Sequence, residues 1–424
     1  MFFGPHCEDA IQDSDETGID CGGSCVASCP GATCSGSAEC VTGSCPTGHC
    51  ELASGPPSWL AGPSLPTARG FLESAVDGGG TIFAVGGTTT SWPDMTGVVP
   101  TVDVLAPGAT SWSTAPPLLT KRAYHVVAAA NGTVYAYGGY STSTVGLMSI
   151  ERYAGTWSTG SANSVAAADV TAAAGTDGSI YVVDNDELKI YSPALNSWST
   201  GPTTPTPRGD TGVALGTDGQ IYAVGGEINP GCSPACVATS AVDALDTQSL
   251  TWTSRAAMQT ARMDLASVSA PDGRIYAIAG ANTADLISVE AYTPPFGRWT
   301  TAASLVQARS AFGAAVAPDG RIYAIAGYSA GSPISSVEIY GPVLMLGATA
   351  GTAGAPVAVT AANFAANAPV AVTFDGTLVA VTTSDASGNA TATFTVPSLP
   401  AGIYTVIAVD DKSQYPVQLP FQIQ

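Results

Sequence analysis

One unit, anchored by tryptophan, recurs six times between Trp59 and Tyr340, and this constrains the fold more tightly than anything else in the chain. The anchors are Trp59, Trp112, Trp157, Trp198, Trp252 and Trp299. Ten residues after each stands Arg69, Arg122, Ala167, Arg208, Arg262 or Arg309. A turn pair follows: Asp77-Gly78, Asn131-Gly132, Asp177-Gly178, Asp218-Gly219, Asp272-Gly273 or Asp319-Gly320. Next comes an aromatic (Phe83, Tyr135, Tyr181, Tyr222, Tyr276, Tyr323). A small pair such as Gly86-Gly87, Gly225-Gly226 or Ala326-Gly327 then closes the run in five of the six repeats. Each unit reads as four short strands. The turn pair makes a tight hairpin between strands one and two, because both of its residues accept positive φ. The next Trp lies on strand four. Four antiparallel strands repeated six times predict six blades around an axis.

The array opens on a strand-four Trp (Trp59) and closes on a strand three (Val337 to Tyr340). The last blade therefore lacks its outer strand unless the first segment supplies it, an exchange that closes the ring and removes an open sheet edge. The pattern R…DGxIYAVGG…VEAY…W resembles the kelch repeat of kelch β-propellers over residues 57–341. The resemblance implies the fold and leaves function open, since kelch propellers serve both as binding modules and as enzyme scaffolds.

Five arginines at one repeat position on an acidic chain could form a basic ring that clamps a carboxylate. An internal control points elsewhere. Strand three carries an acid in the same five repeats: Asp103, Glu151, Asp243, Glu290 and Glu338. The third repeat has Ala167 for the Arg, Lys189 for the acid and Val183-Asp184 for the small pair. Joint loss of both charges suggests structural pairs within a blade: Arg69 with Asp103, Arg122 with Glu151, Arg208 with Asp243, Arg262 with Glu290 and Arg309 with Glu338.

The long, irregular connections all join strand two to strand three, so they share one face, and loops on a rigid scaffold are where binding evolves. Candidate ligand contacts there are Trp92, Asp94, Tyr140, Glu227, Asn229 and Tyr328. Trp92 is the one Trp outside the repeat column; it either stacks on a sugar or peptide or packs its own loop. A carboxylate pair such as Asp94 with Glu227 could serve a glycosidase, lyase or epimerase. Blades followed by a C-terminal sandwich also resemble galactose-oxidase-like proteins. That family's copper site needs two His, two Tyr and a Cys. Here the last of the three His is His125, which is read as packing, and the propeller's cysteines are four apart. No nucleophile elbow, zinc-protease helix or phosphate loop is present, and no catalytic residue is assigned.

Charge excludes other partners. Lys+Arg 13 against Asp+Glu 33 gives a net charge of −20, which argues against nucleic acid and anionic membrane. No apolar run is long enough to span a bilayer as a helix. Eight of the ten cysteines (Cys7, Cys21, Cys25, Cys29, Cys34, Cys40, Cys45, Cys50) crowd into residues 1–50. An even count in a Gly-rich segment with little core reads as a disulfide framework, with zinc thiolates as the alternative. Cys232 and Cys236 are read as closing a short loop on the propeller rim. Disulfides imply export to the cell surface or medium, although Met1-Phe2-Phe3-Gly4 does not begin a signal peptide. Asp13, Asp15 and Asp20 around Gly18 form either a calcium site or a solvated acidic loop; no other cofactor is expected. The cysteine segment resembles Cys-rich modules of exported myxobacterial proteins.

Residues 51–56 read as a linker. Residues 342–424 alternate apolar and polar positions, as in PVAVTFDGTLVAVTT, and predict about seven strands in a β-sandwich. This segment resembles the bacterial Ig-like or IPT/TIG class. The expected whole is an all-β chain: a disulfide-rich module at 1–50, a six-bladed propeller at 57–341 and an Ig-like sandwich. Its expected role is non-catalytic binding of a glycan or protein ligand. The alternatives are a carbohydrate-active enzyme and a self-associating structural subunit of an extracellular assembly.

Overall fold

The computed structural model describes residues 55–91, 94, 96–141, 146–163, 170–228, 237–294 and 297–424. The ten cysteines, Asp13, Asp15, Asp20, Trp92, Ala167 and Asn229 lie outside the described residues, as does the module at 1–50. Two compact units emerge, one of Leu60–Pro318 with Ile322–Ile339, the other holding Tyr340–Gln424.

Among the described residues the first unit forms six four-stranded antiparallel sheets. The inner strands, in chain order, are Glu73–Val76, Val126–Ala130, Thr171–Ala174, Gly212–Leu215, Ala266–Ser269 and Gly313–Val316. Each lies beside the next, and the sixth lies beside the first, so the sheets close a ring: a β-propeller. Sheet two shows the common order: Val126–Ala130, Thr133–Tyr137, Ile150–Tyr153, Trp157–Thr159. Sheet six takes its outer strand from Trp59–Ala61, next to Ser332–Tyr340. The join continues past that strand: Gly62 N–H donates to Val337 O (2.8 Å) and Leu65 N–H to Ser335 O (2.9 Å).

The tryptophan column staples each sheet to its predecessor. Trp112 Nε1 donates to Pro63 O (2.7 Å), Trp157 to Pro116 O (2.9 Å), Trp198 to Ser161 O (2.8 Å) and Trp299 to Ala256 O (2.8 Å). The acceptor is each time the carbonyl four residues past the preceding Trp. Each indole thus packs between sheets, Trp198 less deeply than the others, and satisfies its single donor there. The apolar cores are likewise shared between neighbours; Phe83, Val85 and Val102 of sheet one pack with Val127, Val134 and Trp157 of sheet two.

The hairpins differ from the sequence expectation. Both turn residues take positive φ only at Asn131 (50°) and Gly132 (76°). At Asp177-Gly178, Asp218-Gly219 and Asp272-Gly273 only the glycine does so. The Asp there accepts the N–H two residues on, as Asp177 does from Ser179 (3.0 Å). The aspartate works as a side-chain cap, which an extra loop residue makes room for.

The second unit is two sheets around one core. Val343–Leu346, Pro356–Ala362 and Ala390–Thr395 form one sheet. Ala350–Gly351, Val417–Ile423, Gly402–Asp410, Pro369–Phe374 and Thr377–Thr383 form the other. Eight strands stand where about seven were expected. Phe374, Phe394 and Phe421 meet at its centre with ring centroids 5.7–6.2 Å apart. No helix among the described residues is long and apolar enough to cross a membrane.

Candidate functional site

Each of the five arginines meets its acid. Arg69–Asp103, Arg122–Glu151 and Arg208–Asp243 meet at 2.6 Å, Arg262–Glu290 and Arg309–Glu338 at 2.8 Å, and all ten side chains are buried. The glutamates do a second job: Glu151 accepts the Leu119 and Thr120 N–H groups (2.7 and 3.0 Å) of the loop entering its sheet. Glu290 and Glu338 repeat this. The shorter aspartates take a hydroxyl instead, Asp243 from Ser254 (2.7 Å). Sheet three inverts the device. Lys189 occupies the ladder position of the acids, opposite Val182 as Glu151 is opposite Ala136. Its ammonium pairs with Asp184, which stands in the small-pair position.

What remains open on the long-loop face is the mouth of the propeller axis. Two rings of residues build it. The inner ring is the second residue after each Arg: Phe71, Tyr124, Asp210, Asp264 and Ala311. All five have φ between 47° and 56°, a region that bulky L-residues avoid. A chain of backbone bonds between sheets holds them there: Tyr124 N–H to Phe71 O (3.1 Å), Phe71 to Ala311 (2.8 Å), Ala311 to Asp264 (3.0 Å), Asp264 to Asp210 (3.1 Å). The outer ring is the residue after each small pair: Thr88, Tyr140, Glu227, Ala281 and Tyr328. Each bridges the strand start beside it, as Tyr140 bridges Ala123 and Glu227 bridges Gly209.

Chemistry divides this mouth in two. Sheets six, one and two contribute a continuous aromatic arc. Tyr328 lies 5.0 Å from Phe71, Phe71 stacks on Tyr124 at 3.4 Å, and Tyr124 meets Tyr140 edge-on at 6.0 Å. Sheets four and five contribute Asp210, Glu227 and Asp264. Neighbouring loops fix the rim. Tyr328 Oη donates to Thr90 O, and Asp285 accepts from Ser310 Oγ (2.7 Å) and Ala330 N–H (2.8 Å).

Beneath the mouth the inner strands enclose a narrow cavity. It is bordered by Phe71, Glu73, His125, Thr211 and Phe312 among others, and continues into a second cavity that shares Glu73, Thr171 and Leu265. The two cavities measure about 40 and about 70 Å³, room for a few waters each. Glu73 is half-buried and borders both cavities. Burial pushes its carboxyl up to about 8, against a smaller opposing effect of the Ser74 N–H. His125 is 1% exposed and neither ring nitrogen has a hydrogen-bond partner. Burial, then Arg122 and Arg69, holds it well below its ordinary value, so it is neutral.

Four sequence candidates are described. Tyr140 is half-buried on the rim and contributes its ring edge. Glu227 is 7% exposed and Tyr328 5%, so both are less open than the loop reading expected; Tyr328 in particular is packed against Phe71 and anchors the rim. Burial first, then Asp94, raises the Tyr328 hydroxyl to about 12. Asp94 is exposed, and the Thr96 N–H (2.8 Å) holds its carboxyl below the usual range. Sequence reasoning missed Phe71, Glu73, Tyr124, Asp210 and Asp264. Their signal was positional: they stand at a constant offset from Arg while their identity varies. No group of three or more His, Cys, Asp or Glu poised for a metal occurs among the described residues.

Two family models match parts of the chain: the DUF6242 beta propeller domain at residues 106–229 and the kelch motif at residues 309–343. No curated protein matches. Among solved structures the chain is similar to YjhT, at 15% identity and a TM-score of 0.56 over 67% of this chain and 96% of that one. A fungal alcohol oxidase of the AA5 family in complex with copper is 14% identical, with a TM-score of 0.49 over 86% of this chain and 98% of that one. The likeness to YjhT bears on the fold alone.

Proposed function

We propose that this chain is an exported or cell-surface binding protein whose propeller mouth recognises a glycan or protein ligand without catalysis. The reading takes the ring as six-bladed with an exchanged closing strand, preceded by a disulfide-rich module and followed by an Ig-like domain. One observation carries it: an aromatic arc on sheets six, one and two faces a carboxylate arc on sheets four and five across one mouth. Aromatic faces take the C–H surface of a sugar or an apolar side chain, and carboxylates accept from hydroxyls or amides opposite. Five left-handed backbone positions are a strain kept at the rim, as is common where a ligand is held.

The enzyme alternative has one observation in its favour, a Glu73 carboxyl raised to about 8 and able to donate a proton near neutrality. Space argues against it, since the cavity at Glu73 has room for only a few waters, a poor fit for a sugar ring. A glycan and peptide array on the purified chain tests both readings. A ligand found this way should bind about ten-fold more weakly to Tyr140→Ala, and also to Trp92→Ala if that indole stacks. Unchanged affinity in Tyr140→Ala removes the mouth from consideration. Turnover that Glu73→Gln abolishes establishes the enzyme instead.

A further inference from the structure

The geometry points to the axial column as a receptor for a primary ammonium on an unbranched alkyl chain, with Glu73 as its counter-charge and the aromatic arc at its entrance. This rests on the mouth being the binding site and names the chemistry that enters deepest.

Three properties of the column select such a ligand. The first is width. The two cavities have room for a few waters each, which suits a slender chain better than a bulky group. The second is sign. Glu73, Asp210 and Asp264 border the upper cavity and Glu73 the lower, and neither is bordered by a Lys or Arg. Burial keeps Glu73 protonated up to about 8, and an ammonium seated beside it favours release of that proton to solvent, which makes Glu73 the counter-charge. The nearby guanidiniums of Arg69 and Arg122 are already committed to Asp103 and Glu151. The third is hydrogen bonding. Neutral His125 borders the upper cavity without adding a charge, and its two ring nitrogens are themselves buried. Thr171 and Thr211, whose hydroxyls meet at 2.9 Å, add oxygen acceptors on the opposite side. An ammonium brings three donors and no acceptor, which suits such a lining. Leu72, Leu265 and Phe312 add apolar surface to this polar lining, on which a methylene chain can lie. At the entrance Phe71 and Tyr124 offer ring surface to the passing cation.

A lysine side chain of a partner and a free diamine present the same group, so both are tested. The full chain is titrated by calorimetry and NMR with 1,5-diaminopentane, with Nα-acetyl-lysine amide, and with n-pentanol and pentyltrimethylammonium as controls. The two primary amines should bind and the controls should not, the first for want of charge and the second for girth. Glu73→Gln, which keeps the shape of the side chain, should weaken the amines at least ten-fold. Tighter binding of the lysine derivative assigns a protein source; tighter binding of the diamine assigns a free amine. No diamine binding to the wild type, or equal binding to Glu73→Gln with its fold intact by circular dichroism, overturns the inference. If a glycan or peptide still binds in a Tyr140-dependent way while the diamine does not, only the ammonium assignment fails. If neither binds, the mouth itself is the wrong site.

Discussion

Glu73 links the mouth to pH through stability as well as binding. Its carboxyl titrates at about 8 in the folded chain against an ordinary 4.5, because burial disfavours the charge. The folded state therefore holds this proton more tightly than the unfolded state between those values. The resulting stabilisation is complete below 4.5 and lost as pH rises through about 8. Asp210, Asp264 and His125 border the same cavity, and neutral His125 adds no charge there. Glu73→Gln fixes the neutral form. Its melting temperature should exceed the wild type's by a margin that grows from pH 5 to about 8 and then levels, read by calorimetry across that range. A margin independent of pH would mean that Glu73 is already ionised in the fold. His125 works in the opposite direction. Its folded value lies well below 6.5, so stability is lost as pH falls below 6.5, and His125→Gln should soften the acid limb. His125 was read from the sequence as packing, and Glu73 did not stand out at all. Glu73 lies at the fourth position after Arg69, where the other sheets carry Val126, Thr171, Gly212, Ala266 and Gly313. A site built from unlike residues at one repeat position leaves no column of identity to read; what Phe71, Tyr124, Asp210, Asp264 and Ala311 share is a backbone conformation that their side chains do not announce.

At the scale of the strand and sheet, the sequence was far more legible, because packing demands the same residue type each time. The Trp column, the Arg and its acid, and the turn glycine each meet one geometric need per sheet, and so recur in phase. The exception is instructive. In sheet three the loss of Arg and acid was visible, but the replacement pair was not, since Lys189 and Asp184 lie five residues apart on adjacent strands rather than in the usual two columns. Lys189 is 4% exposed and Asp184 9%. Removing one charge leaves the other buried, so Lys189→Met should destabilise the chain by about 3–5 kcal/mol, measured by urea unfolding. The double variant Lys189→Met with Asp184→Val should recover most of that loss, since two apolar groups need no partner. A double variant no better than the single one would show that the exposed Glu187, 3.5 Å from the ammonium, is the partner that matters.

At the scale of the molecule, a ring of sheets is stable only if its last sheet is completed, and here completion comes from the opposite end of the propeller segment. The strand Trp59–Ala61 is only three residues long, yet it covers the edge of Ser332–Tyr340, one of the two longest strands. An uncovered edge of that length offers unpaired N–H and C=O groups to any second chain. The same closure positions the mouth. The sixth sheet's hairpin brings Tyr328 to Phe71 and, through Ala311, holds the first residue of the backbone ring. A chain beginning at Gly62 keeps the bonds from Gly62 and Leu65 to Val337 and Ser335 but loses the strand itself. It should melt more than about 5 °C lower and self-associate with rising concentration, as followed by calorimetry and analytical ultracentrifugation. A peptide spanning residues 55–66, added in excess, should restore the monomer and most of the melting temperature by refilling the edge. If the shortened chain instead stays monomeric and melts where the full chain does, the ring is held by its inner strands alone. The mouth would then keep its shape without the exchanged strand, and ligand binding by the shortened chain would be unimpaired.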